Sequence, residues 1–170
     1  LIRYDEIEKN LHLVDFEKRC NLIINYVQDC PDPALTQTRK DEMMGEACLF
    51  RALTRFQGVQ TWGDYPIVDI YVSSINGSNF EDVYPALYPT RQPIAKVYEA
   101  IIADCLVAIQ KAPDAANKYV ANKGAANALI AKAYATMPNP DWDKVIQYSD
   151  AVINGGYTLL PNYEFLFDNK

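Results

Sequence analysis

Ile94-Ala95-Lys96-Val97-Tyr98-Glu99-Ala100-Ile101-Ile102-Ala103-Asp104-Cys105-Leu106-Val107-Ala108-Ile109 decides the fold class. Its apolar residues Ile94, Val97, Tyr98, Ile101, Ile102, Cys105, Leu106 and Ile109 recur at three- and four-residue spacing, the mark of an amphipathic helix. Pro93 suits the first turn of that helix, and Pro113 closes it.

Outward from this stretch the same period returns. An alanine-rich helix is expected over about 122–137, where Ala125, Ala126, Ala128, Ala131, Ala133 and Ala135 favour helix and close backbone approach. Pro138 and Pro140 end it. Asp141 can cap a further helix over 141–154, its buried face formed by Trp142, Val145, Ile146, Val152 and Ile153, with Gly155-Gly156 as its stop. The tail from Tyr157 is expected to be extended, and its apolar Leu159, Leu160, Tyr163, Phe165, Leu166 and Phe167 need cover, expected from within the protein.

Upstream, a helix over about 3–29 places Tyr4, Ile7, Leu11, Val14, Cys20, Ile23, Ile24 and Val27 near one face, and Pro31 and Pro33 end it. The next runs over about 41–62, its acidic start at Asp41 and Glu42 favoured by the helix dipole. Leu49, Ala52, Leu53, Phe56 and Val59 form its apolar stripe, with Arg51 and Arg55 on the other face. Gly63 and Pro66 stop it. Residues 63–92 show no helical period, and the alternation at Val68, Ile70 and Val72 is a weak strand signal. Long stretches of this kind in compact domains are usually functional or mobile. The expected architecture is all-α: one helical domain over 1–170, interrupted by a loop insertion at 63–92.

Composition excludes several functions. A net charge of −6 argues against nucleic acid, whose backbone calls for clustered Lys and Arg. No window approaches about 18 consecutive apolar residues, so no spanning helix is expected. The start lacks a basic n-region and a cleavage site, so no signal peptide is read there. Four cysteines, Cys20, Cys30, Cys48 and Cys105, form no CxxC pair and stand in no zinc-like spacing with the single histidine, His12; they read as free, mostly buried thiols. Asn76, Ser78, Asn79, Glu81 and Asp82 offer oxygen ligands, but without the spacing of a calcium loop, and turn chemistry accounts for Asn76-Gly77. Neither a metal nor a cofactor is expected. No GxSxG, HExxH or P-loop motif is present, and no nucleophile–base pair is visible. The chain is read as a binding module and not as an enzyme.

The last two helices pair as a tetratricopeptide-type hairpin. Ala131 and Tyr134 fill the small and aromatic places of the first helix, and the turn at Pro138-Asn139-Pro140 is longer than usual. Gly45, Ala47 and Ala52 are echoed at the same spacing by Gly124, Ala126 and Ala131, which suggests two related hairpins with an insertion between them. In this arrangement the sequence resembles the SusD/RagB-type nutrient-binding lipoproteins. Arg19-Cys20-Asn21-Leu22-Ile23-Ile24 is similar to the family's first helix. Gly45-Glu46-Ala47 followed by Arg51-Ala52 resembles its GEA-x3-RA helix, and Trp62-Gly63-Asp64-Tyr65-Pro66 its aromatic-GD-x-P turn. Pro93 to Asp104, Lys123-Gly124-Ala125-Ala126, the Trp142 helix and Tyr157-x-Leu159-x-Pro161-x-Tyr163-x-x-Leu166-Phe167 follow in the family's order.

The resemblance implies a surface-exposed lipoprotein of the outer membrane that captures glycans or other nutrients. It implies a SusC-like, TonB-dependent transporter as partner and a lipid anchor as the sole membrane attachment. Family members begin with a lipidated cysteine after a signal peptide and are much longer, so a fragment is expected, with part of the ligand site elsewhere. Within the fragment the candidate ligand residues are Trp62, Asp64, Tyr65, Tyr71, Asn76, Asn79, Asp82 and Tyr84. Sugars offer C–H faces to aromatic rings and hydroxyls to polar side chains, and this stretch supplies both. For Trp62 the competing reading is a helix-end ring packed on the core, with Gly63 as cap. The alternative function is a repeat scaffold that holds a protein partner in a helical groove; a hydrolase ranks last.

Overall fold

Helix boundaries follow local chemistry. In the computed structural model, which describes residues 4–114, 120–157 and 160–167 (for 4–12 and 166 the backbone alone), six α-helices form. The first, α1 (Tyr4–Tyr26), ends before the Pro31/Pro33 stretch. The second, α2 (Gln37–Trp62), starts earlier than its acidic residues suggested, because the Thr36 hydroxyl accepts the Arg39 amide and caps it. Gly63 ends α2 at φ 72°, with its amide donating to the Val59 carbonyl. Beyond it come β1 (Tyr65–Pro66), α3 (Phe80–Leu87), β2 (Arg91–Gln92) and α4 (Ile94–Lys111). Asn122 caps α5 (Lys123–Thr136) and Asp141 caps α6 (Trp142–Ile153). A 3-10 turn, Tyr163–Leu166, follows.

Five of the helices pack in succession, α1 on α2, α2 on α4, α4 on α5, and α5 on α6, with α3 in the insertion apart from this series. The two closest pairings, α2/α4 and α5/α6, are antiparallel hairpins in an all-α, tetratricopeptide-like array. Ala52, Val97, Ile101, Cys105, Ala108, Ala126, Ile130 and Ala133 form the solvent-free centre between them. Small residues on α2 and α5 set the spacing. At Gly45 a Cβ would run into the Ala112 backbone at the exit of α4, and at Gly124 it would run into the Tyr157 ring beyond α6. The two glycines therefore mark the same station in successive hairpins, where the first helix meets the exit of the second.

Several expectations are corrected. The stretch 63–92 contains α3, and its ends pair as a two-residue antiparallel ladder, Tyr65 with Gln92 and Pro66 with Arg91. Val68, Ile70 and Val72 form no strand; side chains of α1 and α2 hold that backbone instead. Leu53 and Val14 face outward and not inward. On α6 no residue is buried, and Trp142, Ile146 and Ile153 are exposed, since α5 covers only the Val145/Val152 side. The tail rings Tyr163, Phe165 and Phe167 are exposed too, so the described residues do not cover them. All four cysteines are free. Burial pushes the Cys20 thiol up to about 11 and those of Cys48 and Cys105 up to about 12. The side chain of His12 lies outside the described residues, as do Leu159 and the side chain of Leu166.

Candidate functional site

Arg51 and Arg55 stand one turn apart on α2, and Asn21 and Asn25 one turn apart on α1. Together they grip residues 68–71. The Val68 carbonyl accepts from Asn21 Nδ2 at 2.7 Å and from Arg55 Nη2 at 3.1 Å. The Asp69 carboxylate accepts from Arg55 at 2.6 Å and the Asp69 carbonyl from Asn25 at 3.1 Å. The Tyr71 amide returns a bond to Asn25 Oδ1 at 2.8 Å.

Behind the grip lies a buried ion network. Arg55 donates to Glu17 at 2.7 Å and to Asp104 at 3.2 Å. Arg51 holds Asp104 through Nε at 2.9 Å and Nη2 at 2.6 Å, and reaches Asn21 Oδ1 at 2.8 Å. Burial pushes the Glu17 carboxyl up, while the Arg55 guanidinium beside it pulls the other way. Among the described residues no buried side-chain polar atom lacks a partner, as a closed network in low dielectric requires. The face of α2 opposite its apolar stripe, where the sequence reading placed the two arginines, is thus buried as well. The signal was Asp104, an acid set within the apolar stripe of α4 where only a buried cation could match it.

The gripped segment forms one wall of a cleft of about 580 Å³. Val14, Glu17, Lys18 and Asn21 of α1 form another wall, and Ala86, Leu87 and Pro89 at the end of α3 close it. The lining is mostly aliphatic. Its charged rim group, Lys18, sits 5.8 Å from the centre of the Tyr71 ring. Glu17 and Asn21 at the base already have partners in the network.

The candidate ligand residues do not converge on this cleft; of them only Tyr65 lines it. Tyr65 is 4% exposed, donates to Glu17 at 3.4 Å, and has its ring against Gly58. Trp62 is half-buried against the core and stacks on Tyr65 at 6.1 Å, with ring planes 15° apart. Asp64 accepts the Ile94 amide at 3.0 Å and so serves the free first turn of α4. Tyr71 packs edge-on against Tyr26. Asn76 accepts the Ser78 and Asn79 amides, and Asn79 accepts the Asn76 amide while donating to the Ser74 carbonyl. Those asparagines build the turn that leads into α3. Asp82 lies exposed in the first turn of α3 beside Glu81, where the helix dipole favours negative charge.

Tyr84 belongs to a set that sequence reasoning missed. Phe80, Tyr84 and Tyr88 stand at four-residue intervals, on and just past α3, with ring centres 5.5 Å and then 4.9 Å apart. They are 46%, 47% and 66% exposed. The sequence reading found no helical period in 63–92: three rings four residues apart make too short a run to stand out, and Pro85 sits among them. The helix forms with Pro85 inside it, without the amide that would reach the Glu81 carbonyl; it is only eight residues long, and Glu81 and Asp82 favour its start.

The chain matches the family model described as starch-binding, associating with the outer membrane, over residues 18–135. It belongs to the SusD-like family. A SusD-like protein of Bacteroides ovatus is 28% identical over 163 residues, covering 88% of this chain and 28% of that protein. The chain thus spans little more than a quarter of that relative. A structure solved with xylogluco-oligosaccharide superposes with a TM-score of 0.72 at 24% identity, covering 91% of this chain and 31% of the other. A laminarin-binding SusD-like protein superposes at 0.66 and 22% identity, covering 88% and 32%. These likenesses establish the fold as SusD-like. Among the described residues no helix is long and apolar enough to cross a membrane.

Proposed function

We propose that this chain is the helical part of a glycan-binding component of a SusC/SusD-type outer-membrane uptake system. The whole protein would capture an oligosaccharide and deliver it to a TonB-dependent transporter, binding without turnover. The family match over residues 18–135, extending through α2, α4 and nearly all of α5, carries this reading. Relatives solved with xylogluco-oligosaccharide or named for laminarin support a glycan as ligand. The protein would form a single helical domain over this stretch, with 63–92 as its insertion, and would sit on the cell surface through a lipid anchor. The candidate residues Trp62, Asp64, Tyr65, Tyr71, Asn76, Asn79, Asp82 and Tyr84 divide accordingly: those that hold the fold shape the insertion, and the exposed ones face the ligand.

The test is a glycan array on the full-length protein, followed by co-purification with the barrel encoded beside it. Binding of a glycan class and recovery of the barrel are expected. A protein scaffold is the second reading, favoured by the exposed Trp142, Ile146 and Ile153 of α6. Recovery of a soluble protein, with no barrel and no glycan binding, would put that reading in place of the first.

A further inference from the structure

We infer that Asn76 is a site of spontaneous deamidation in the folded protein, and that the turn leading into α3 keeps the aspartate that results; this stands apart from the glycan-binding reading. Two Asn-Gly steps occur in the chain, Asn76-Gly77 and Asn154-Gly155. Both are exposed, yet the fold treats them differently. Asn154 caps the end of α6, and the Gly155 amide donates to the Val152 carbonyl at 3.0 Å. The Gly77 amide donates to no acceptor among the described residues. Nor does the turn need a glycine at 77. Among the described residues only Gly63 and Gly156 take a positive φ, and a Cβ on Gly77 would meet nothing within 4 Å. Without positive φ a turn accepts most residues there. What the missing Cβ does supply is access: nothing shields the Gly77 nitrogen from the side chain before it.

The Asn76 side chain is held for that attack. Its Oδ1 accepts the Ser78 amide at 3.0 Å, the Asn79 amide at 3.2 Å and the Ser78 hydroxyl at 2.6 Å. These bonds fold it back along its own main chain, so Cγ lies over the Gly77 peptide. Three donors on one carbonyl oxygen also stabilise the negative charge that gathers there when a nucleophile adds to Cγ. The Gly77 nitrogen loses its proton to hydroxide and attacks Cγ. The new N–Cγ bond closes a five-membered succinimide, and the Cγ–Nδ2 bond breaks, Nδ2 leaving as ammonia with a proton from water. Water then opens the ring. Addition at Cγ restores the main chain and leaves aspartate; addition at the main-chain carbonyl of residue 76 leaves isoaspartate, with the chain running through Cγ. The two products act oppositely on α3. The aspartate faces the same three donors with charge-assisted bonds at the amino end of the helix. Isoaspartate lengthens the main chain by one carbon and destroys the turn, releasing the helix that supplies Ala86 and Leu87 to the cleft.

The experiment incubates the full-length protein at mildly alkaline pH. Mass spectrometry follows the peptides containing residues 76 and 154, with fragmentation that separates aspartate from isoaspartate. Folded wild type, urea-unfolded wild type and Gly77→Ala are compared, with melting curves for the folded proteins. In the folded protein Asn76 should convert roughly tenfold or more faster than Asn154, about 1.4 kcal/mol of barrier per tenfold, and in urea the two should convert alike. Gly77→Ala should melt as wild type and slow Asn76 by roughly tenfold or more. Asn76→Asp should melt no lower than wild type and slow hydrogen exchange at the Ser78 and Asn79 amides. Asn76 converting no faster than Asn154 in the folded state, or only after unfolding, overturns the inference. The same preference in urea also does, because flanking sequence and not the fold would then select the site. Gly77→Ala reacting at the wild-type rate removes the nitrogen's access as the cause, and a lower melting temperature for it would show that the glycine serves the turn; either result overturns the inference. Faster exchange at Ser78 and Asn79 in Asn76→Asp overturns the retention of the product by the turn.

Discussion

Asp104→Ala tests whether the buried network holds the helices together. Asp104 accepts two N–H groups of Arg51 and one of Arg55. The substitution leaves both guanidiniums in place, and the side chain of Arg55 is only 1% exposed. Two buried cations then share one buried carboxylate, Glu17. The remaining anion, Asp69, is 60% exposed and contributes in a more screened setting. Removing one partner of a buried pair costs about 3–5 kcal/mol, because the other charge stays desolvated. That exceeds the roughly 1 kcal/mol of an average substitution. At about 2–4 °C per kcal/mol for a domain of this size, the melting temperature should fall by about 6–20 °C. Urea denaturation of variant and wild type reads the loss directly, with an unchanged m-value confirming that the native state is still compact. A loss below about 1 kcal/mol would mean that Arg51 and Arg55 reach water when Asp104 is gone, and the closed network would be wrong.

Three further outcomes are expected. Asn25→Ala should leave global stability within about 1 kcal/mol, yet speed hydrogen exchange at the Tyr71 amide, whose acceptor it removes; an unchanged rate would refute the grip. Gly45→Ala should destabilise by about 1–3 kcal/mol through overpacking against Ala112, measured by denaturation, and a neutral result would place α2 farther from the exit of α4. At about pH 8 the native protein should be alkylated at half-buried Cys30 first. Cys20, Cys48 and Cys105 are buried, with pKa values pushed up to about 11, 12 and 12, and so remain protonated and unreactive until unfolding. Mass spectrometry showing early modification of Cys48 or Cys105 would contradict the core placement.

The helices were legible because their signals are local. Ile94 to Ile109 carries its period in consecutive residues, and Pro31, Gly63, Pro113 and Pro138 punctuate the chain where helices stop. The network was not legible, since Arg51 finds Asp104 across 53 residues and a charge spaced along one helix does not announce its partner. For the same reason the sequence did not show that Asp64 accepts the first amide of a helix 30 positions on. For Asn76 and Asn79 the partners were hidden because their Oδ1 atoms accept from backbone amides, which no composition displays. The exposed side of α6 was misread for a different reason: amphipathic spacing tells that a helix has an apolar face, not which segment covers it.

The grip on residues 68–71 has a consequence for how this scaffold can change. Most of its bonds land on main-chain atoms: the Val68 and Asp69 carbonyls and the Tyr71 amide. The course of the segment is thus stored in α1 and α2 and not in its own side chains, Asp69 excepted. Val68, Ile70 and Val72 can be exchanged for other residues while the wall they line keeps its path. Recognition chemistry and architecture are inherited separately here. A library randomised at those positions would re-line the cleft on an unaltered frame.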